Sequence, residues 1–177
     1  IMKFDISEKT RTFMMNCIKE QTKQHEHKDN FRDLFAGFEM ILTLTNKYSA
    51  LVMNPPYMGG GNMNNVLSKY VKDNYPNSKS DLMTVFMEVC EESVAKNGKF
   101  GMINLPSWLF LSSFESLRKG LISNYHIDTL IHMGRGVFGI DWGSVALTVS
   151  KAVSNKKSVF FRLHKRNFQH IYFEHIG

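Results

Sequence analysis

The stretch Leu51-Val52-Met53-Asn54-Pro55-Pro56-Tyr57 constrains the fold of this chain more than any other. Residues 48–53 are apolar and carry a valine, and the two prolines that follow remove two backbone donors and fix φ. No strand ladder continues through such a pair, so the run predicts a short, buried strand that ends at Asn54. In an open sheet wound with helices, ligands gather at the carboxyl ends of the strands, and that is where Asn54 falls.

The rest of the chain fits that kind of sheet. Phe13, Met14, Cys17 and Ile18, and then Leu34, Phe35, Phe38, Ile41, Leu42 and Leu44, recur at helical spacing on either side of a charged stretch, which predicts two helices with a hydrophilic connection. Residues 58–80, rich in Gly, Asn, Ser and Lys, read as a long functional loop with one helical turn over 66–72. Ser80-Asp81 caps a helix with Leu82, Val85, Phe86, Val89 and Cys90 on one face, and Asn97-Gly98 is expected to close it. Residues 100–105 form a second strand, and Ser112 or Ser113 caps a helix through Leu117 and Leu121. A third strand covers 127–132, a hairpin-like return runs through 134–143, a fourth strand covers 143–150, and a further strand covers 159–163. The expected class is α/β, a mostly parallel sheet with flanking helices, preceded by a helical segment. Three parts follow: helical residues 1–47, a sheet domain over 48–153, and a basic, aromatic tail over 154–177.

Composition narrows the partners. With 43% hydrophobic residues in 177, the chain can build one core, and its formal charge of +6 suits an anionic partner such as nucleic acid. The tail sets Lys156, Lys157, Arg162, Lys165 and Arg166 among Phe160, Phe161 and Phe168, which fits phosphate contacts and base stacking, though an edge strand is the plainer reading. Cys17 and Cys90 stand in no C-x-x-C pattern, and His25, His27, His164, His170 and His175 lack ligand spacing, so neither a disulfide framework nor a metal site is expected. No apolar run approaches the ~20 residues that span a bilayer, and the first residues do not resemble a signal peptide. A reducing, cytoplasmic setting is expected. The chain opens on Ile1, which leaves room for a longer natural protein.

The chemistry of the strand end is specific. An exocyclic adenine amine is a poor nucleophile because its lone pair is delocalised into the ring, so alkylating it requires holding the nitrogen rigidly in line. The Asn54 side-chain oxygen and the Pro55 carbonyl can accept both amine hydrogens, while the Tyr57 ring can stack on a base turned out of its duplex. An ordinary strand-terminating turn is the competing reading of these four residues.

Asn54-Pro55-Pro56-Tyr57 resembles the catalytic motif of amino-methyltransferases. The order of later segments, Ser80 to Phe86, Gly98 to Trp108, Val137-Phe138 and Ser144 to Val149, is similar to the gamma-class DNA adenine-N6 methyltransferases. The string from Asn54 through Met63, with Asn74-Tyr75-Pro76 and Ser112-Ser113-Phe114-Glu115, more closely resembles the adenine-specific methyltransferases of BREX phage-defence systems. The resemblance implies a partial Rossmann-like methyltransferase core, S-adenosyl-L-methionine as cofactor, and flipped-out adenine in double-stranded DNA as substrate. It implies that Asn54, Pro55 and Pro56 form the catalytic turn, with Asn54 at the cofactor's methyl end. Phe86 would touch the cofactor, and Tyr57, Phe138 and Trp108 the target base. Each aromatic has a plainer reading beside this: core packing for Phe86 and Trp108, a loop anchor for Phe138.

The family's glycine-rich cofactor turn belongs before the catalytic motif, and residues 1–53 contain none, whereas Gly134-Arg135-Gly136 follows the motif and opens no helix. Weak cofactor binding, or none, by this stretch alone is therefore expected, with target recognition beyond Gly177. Rival readings are methylation of a protein glutamine amide or an RNA base, and a non-catalytic nucleic-acid-binding or assembly module. The first strand would be left as a sheet edge, to be covered by helices or paired in a homodimer.

Overall fold

A computed structural model describes residues 6–23, 32–137, 143–152 and 156–164. The chain divides into two compact units, 1–47 and 48–177. In the first, helices α1 (Glu8–Lys23) and α2 (Arg32–Thr45) form a pair, as the apolar spacing predicts. Phe13 meets Phe38 edge-on at 6.4 Å, and Phe35 meets Phe38 at 6.2 Å. The Arg11 guanidinium closes the pair by donating to the Thr45 carbonyl and hydroxyl and to Asn46.

The second unit is a five-stranded sheet with helices. Its elements in chain order are β1 (Tyr48–Met53), α3 (Asn65–Asn74), α4 (Leu82–Ser93), β2 (Val94–Asn104), α5 (Ser107–Phe110), α6 (Glu115–Asn124), β3 (His126–Gly134), β4 (Ser144–Ser150) and β5 (Val159–Arg162). The strand order is β1-β2-β4-β3-β5. β1 runs parallel to β2, and β5 parallel to β3, while β4 is antiparallel to both neighbours. The hairpin-like return was legible in the sequence; its strand inserts between β2 and β3, so the sheet is α/β as expected but mixed, with two parallel and two antiparallel pairings.

One face of the sheet makes the core. Phe100 and Met102 of β2 and Val145, Leu147 and Val149 of β4 alternate onto it. Met83, Met87 and Cys90 of α4 and Leu117 and Leu121 of α6 pack against them, so both crossover helices lie over the same face. A smaller cluster of Met63, Val71, Tyr75, Leu82 and Val85 fastens α3 to α4.

Two expectations are corrected. Residues 66–72 are not one turn inside a loop but part of the ten-residue α3, whose N-terminus is capped by the Asn64 side chain accepting from Leu67 N at 2.8 Å. Its apolar residues Val71 and Leu67 face the second core cluster, a tertiary stabilisation that the Asn- and Lys-rich composition conceals. Asn97-Gly98 does not end α4, which stops at Ser93; it forms an irregularity within β2, where pairing with β1 jumps from Val94 to Lys99. Asn97 takes φ 64°, and a Cβ on Gly98 would stand 2.9 Å from the Tyr48 carbonyl, so the pair serves a strand bulge instead.

Candidate active site

The turn after β1 carries the site. Asn54 is exposed at the carboxyl end of β1, Pro55 is buried, and Pro56 and Tyr57 return to the surface. Burying Pro55 fixes the turn to the fold while its neighbours remain accessible. The Tyr57 hydroxyl donates to Asn54 Oδ1 at 2.9 Å and lies 3.4 Å from the Ile103 carbonyl on β2. Burial raises the Tyr57 hydroxyl above the ordinary tyrosine value. The Asn54 oxygen is thus held in a defined direction, with an aromatic ring beside it that is 37% exposed.

Beyond Tyr57 the chain pairs with the start of α4. Met58 N donates to Asp81 Oδ1 at 3.2 Å, the Met58 carbonyl accepts from Leu82 N at 2.9 Å, and Gly60 N donates to the Ser80 carbonyl at 2.9 Å. The same Asp81 oxygen accepts from Met83 N at 3.0 Å and so caps the helix, as its position before Leu82 predicts. What sequence reasoning missed is its second bond, to a residue 23 positions earlier. Phe86 follows one turn along α4, half-buried and packed against both core clusters. Core packing is therefore part of its role, and a fraction of the ring stays accessible.

Trp108 is placed elsewhere. It is 2% exposed, and its indole N–H donates to the buried Asn104 Oδ1 at 2.9 Å. The cavity of about 400 Å³ that it lines is formed with residues of α6, β3 and β5 and includes none of residues 54–57. Buried in the core and lining a cavity apart from residues 54–57, Trp108 packs the core, and the expectation that it lines the same cleft as Tyr57 is corrected. Phe138 lies outside the described residues.

A feature that the spacing did not suggest is a histidine pair at the same rim. His132, near the end of β3, lies 3.0 Å from His164 through Nδ1 and Nε2, and both rings are buried. Burial, then His164 and Arg162, push His132 down to about 4. Gly134, at φ 86°, accommodates this packing, since a Cβ there would stand 2.9 Å from His164 Cβ. Among the described residues no group of three or more His, Cys, Asp or Glu could hold a metal ion. Nor is any helix among them long and apolar enough to cross a membrane.

A family model described as the Eco57I restriction-modification methylase matches residues 2–138. The chain belongs to the Eco57I restriction-modification methylase family. The adenine-specific methyltransferase BrxX of Escherichia coli O9:H4 (strain HS) is 37% identical to it over 150 residues, which is 82% of this chain and 12% of that protein. This Eco57I-family chain therefore spans about 12% of the length of that relative. Among solved structures, the Type ISP restriction-modification enzyme LlaGI, in complex with a DNA substrate mimic, superposes with a TM-score of 0.56 at 19% identity, over 81% of this chain and 17% of that one. A Listeria monocytogenes protein described as a class I S-adenosylmethionine-dependent methyltransferase superposes with a TM-score of 0.52 at 14% identity, over 73% of this chain and 45% of that one. The sheet unit of the Eco57I-family chain thus has part of the class I methyltransferase fold.

Of the residues that the resemblance assigns to the cofactor, Asn54 is exposed at the strand end and Phe86 is half-buried on α4. No strand precedes β1 among the described residues, so the glycine turn that would follow such a strand has no place in them.

Proposed function

We propose that this chain is the amine-holding part of a longer enzyme that methylates adenine N6 in double-stranded DNA. The observation that carries the reading is the exposed Asn54 side chain at the carboxyl rim of the sheet, with the Tyr57 ring beside it. S-adenosylmethionine, bound by the whole protein, supplies an electrophilic methyl group. Asn54 Oδ1 would accept one N6 hydrogen and the Pro55 carbonyl the other, localising the nitrogen lone pair; as the nitrogen–methyl bond formed the methyl–sulfur bond would break, and the surplus N6 proton would pass to solvent. The Tyr57 ring stacks on the extruded base, and base stacking on such platforms contributes about 1–3 kcal/mol. In this reading the accessible part of Phe86 on α4 is assigned to the cofactor, and Phe138, outside the described residues, to the target base.

Double-stranded DNA is favoured over RNA or a protein amide by the family's restriction-modification description, the DNA-bound relative, and the chain's formal charge of +6. The relatives named adenine-specific methyltransferases fit the BREX phage-defence resemblance drawn from the sequence, and that role would be exercised in the cytoplasm. Asn54→Ala in the full-length protein should lower adenine methylation of duplex DNA by about 10²-fold or more, as when one preorganised hydrogen-bonding group is removed from an active site. Undiminished N6-methyladenine formation by that variant would overturn the assignment. Parallel assays with RNA and protein acceptors distinguish the substrate classes.

A further inference from the structure

Asp81 joins two pieces of the site that the chain separates by more than twenty residues. After Tyr57 the backbone runs into Gly59-Gly60-Gly61, which imposes little stiffness of its own. The turn therefore needs a hold on its carboxyl side. That hold is the short pairing of 58–60 with 80–82, in which the Met58 carbonyl meets Leu82 N and Gly60 N meets the Ser80 carbonyl. Its only side-chain member is Asp81, whose Oδ1 takes Met58 N at 3.2 Å and Met83 N at 3.0 Å. One oxygen thus ties the residue after Tyr57 to the first turn of the helix that carries Phe86.

We propose that Asp81 is a positioning residue, holding the Asn54 to Tyr57 turn in register with α4 so that the amine-holding atoms and the cofactor-side ring keep a fixed separation. The proposal rests on the methyltransferase reading above. Methyl transfer requires the attacking nitrogen and the methyl to be in line, and a misplacement of about 1 Å costs on the order of 10²-fold in rate. Asp81 touches neither reactant; it acts through the Met58 backbone.

Three substitutions in the full-length protein separate this from simple helix capping. Serine is as good an N-cap as aspartate, yet its oxygen sits one bond closer to the backbone and falls short of Met58 N. Asp81→Ser should therefore keep the melting temperature while kcat on duplex DNA falls by about 10- to 100-fold. KM for S-adenosylmethionine should change by less than about twofold, because the fault lies in alignment. Asp81→Asn keeps an oxygen at the Oδ1 position and should recover most of the lost rate. Asp81→Ala loses both bonds and should lose stability as well as rate.

A wild-type kcat in Asp81→Ser overturns the positioning role. So does an Asp81→Asn variant as slow as Asp81→Ser, or a loss of melting temperature in Asp81→Ser that matches Asp81→Ala. Asn54→Ala measured alongside keeps the two ideas distinct: if that variant is fully active, the methyltransferase assignment fails, whereas an inactive Asn54→Ala beside a fully active Asp81→Ser sinks the positioning role alone.

Discussion

In the proposed reading Tyr57 has a polar and an apolar function, and substitutions can separate them. Its hydroxyl already satisfies Asn54 Oδ1, so an arriving amine N–H replaces one donor with another. Such an exchange has a small net free energy, because the acceptor is hydrogen-bonded before and after. Tyr57→Phe should therefore leave kcat and the DNA KM within about threefold of wild type, whereas Tyr57→Ala loses a stacking contact of about 1–3 kcal/mol, a weakening of roughly 5- to 150-fold. Steady-state methylation kinetics with DNA-binding titrations check both, and a Tyr57→Phe variant as impaired as Tyr57→Ala would make the hydroxyl part of the chemistry. Asn54 to Tyr57 was legible in the sequence because prolines act on their own backbone, whatever surrounds them. Trp108 was not, since whether an indole faces a cleft or a core depends on where Asn104 lies after folding. The second bond of Asp81 was hidden for the same reason.

The strands show what local pattern carries at the scale of elements. β1, β3, β4 and β5 fall where apolar runs between turn residues predict them, and Asp81 caps α4 as expected. β2 is longer than its apolar stretch, because Asn97-Gly98 suits a helix terminator and a bulge equally, and only pairing with β1 decides between them. The carboxyl end of α4 supports a separate pH prediction. Glu91 is pushed up to about 7, first by burial and then by Glu88, against the opposing pull of Tyr125 and Lys151. A carboxyl raised in the folded state binds its proton more tightly there than in the unfolded chain. Its contribution is fully present below the unfolded value near 4.5 and is lost as pH rises through about 7. His132, pushed down to about 4, has the opposite slope, its contribution present above 6.5 and lost as pH falls towards 4. The difference between variant and wild type therefore isolates Glu91. Glu91→Gln should stabilise the protein by on the order of 3 kcal/mol at pH 8 and by almost nothing at pH 4. Thermal melts across that range check it, and a constant offset at every pH would show that ionisation is not the cause.

Considered as a whole molecule, the sheet has two edges of unlike character. β5 ends in Arg162 and follows Lys156 and Lys157, a basic surrounding that discourages pairing with another strand. β1 contains no charged residue and no proline, and Val52 within it is 87% exposed. An uncharged edge with an exposed β-branched residue is a template for a further strand. In a longer polypeptide, such as the relative of which this chain spans about 12%, that strand can come from the same molecule; for the 177-residue chain by itself another copy can supply it. The isolated chain is therefore expected to self-associate through β1, and Val52→Lys should shift it towards monomer by placing a charge on that edge. Sedimentation velocity over a concentration series reads the difference. Equal association of Val52→Lys and wild type would move the contact away from β1. A monomeric wild type would show that the edge is covered within the chain itself.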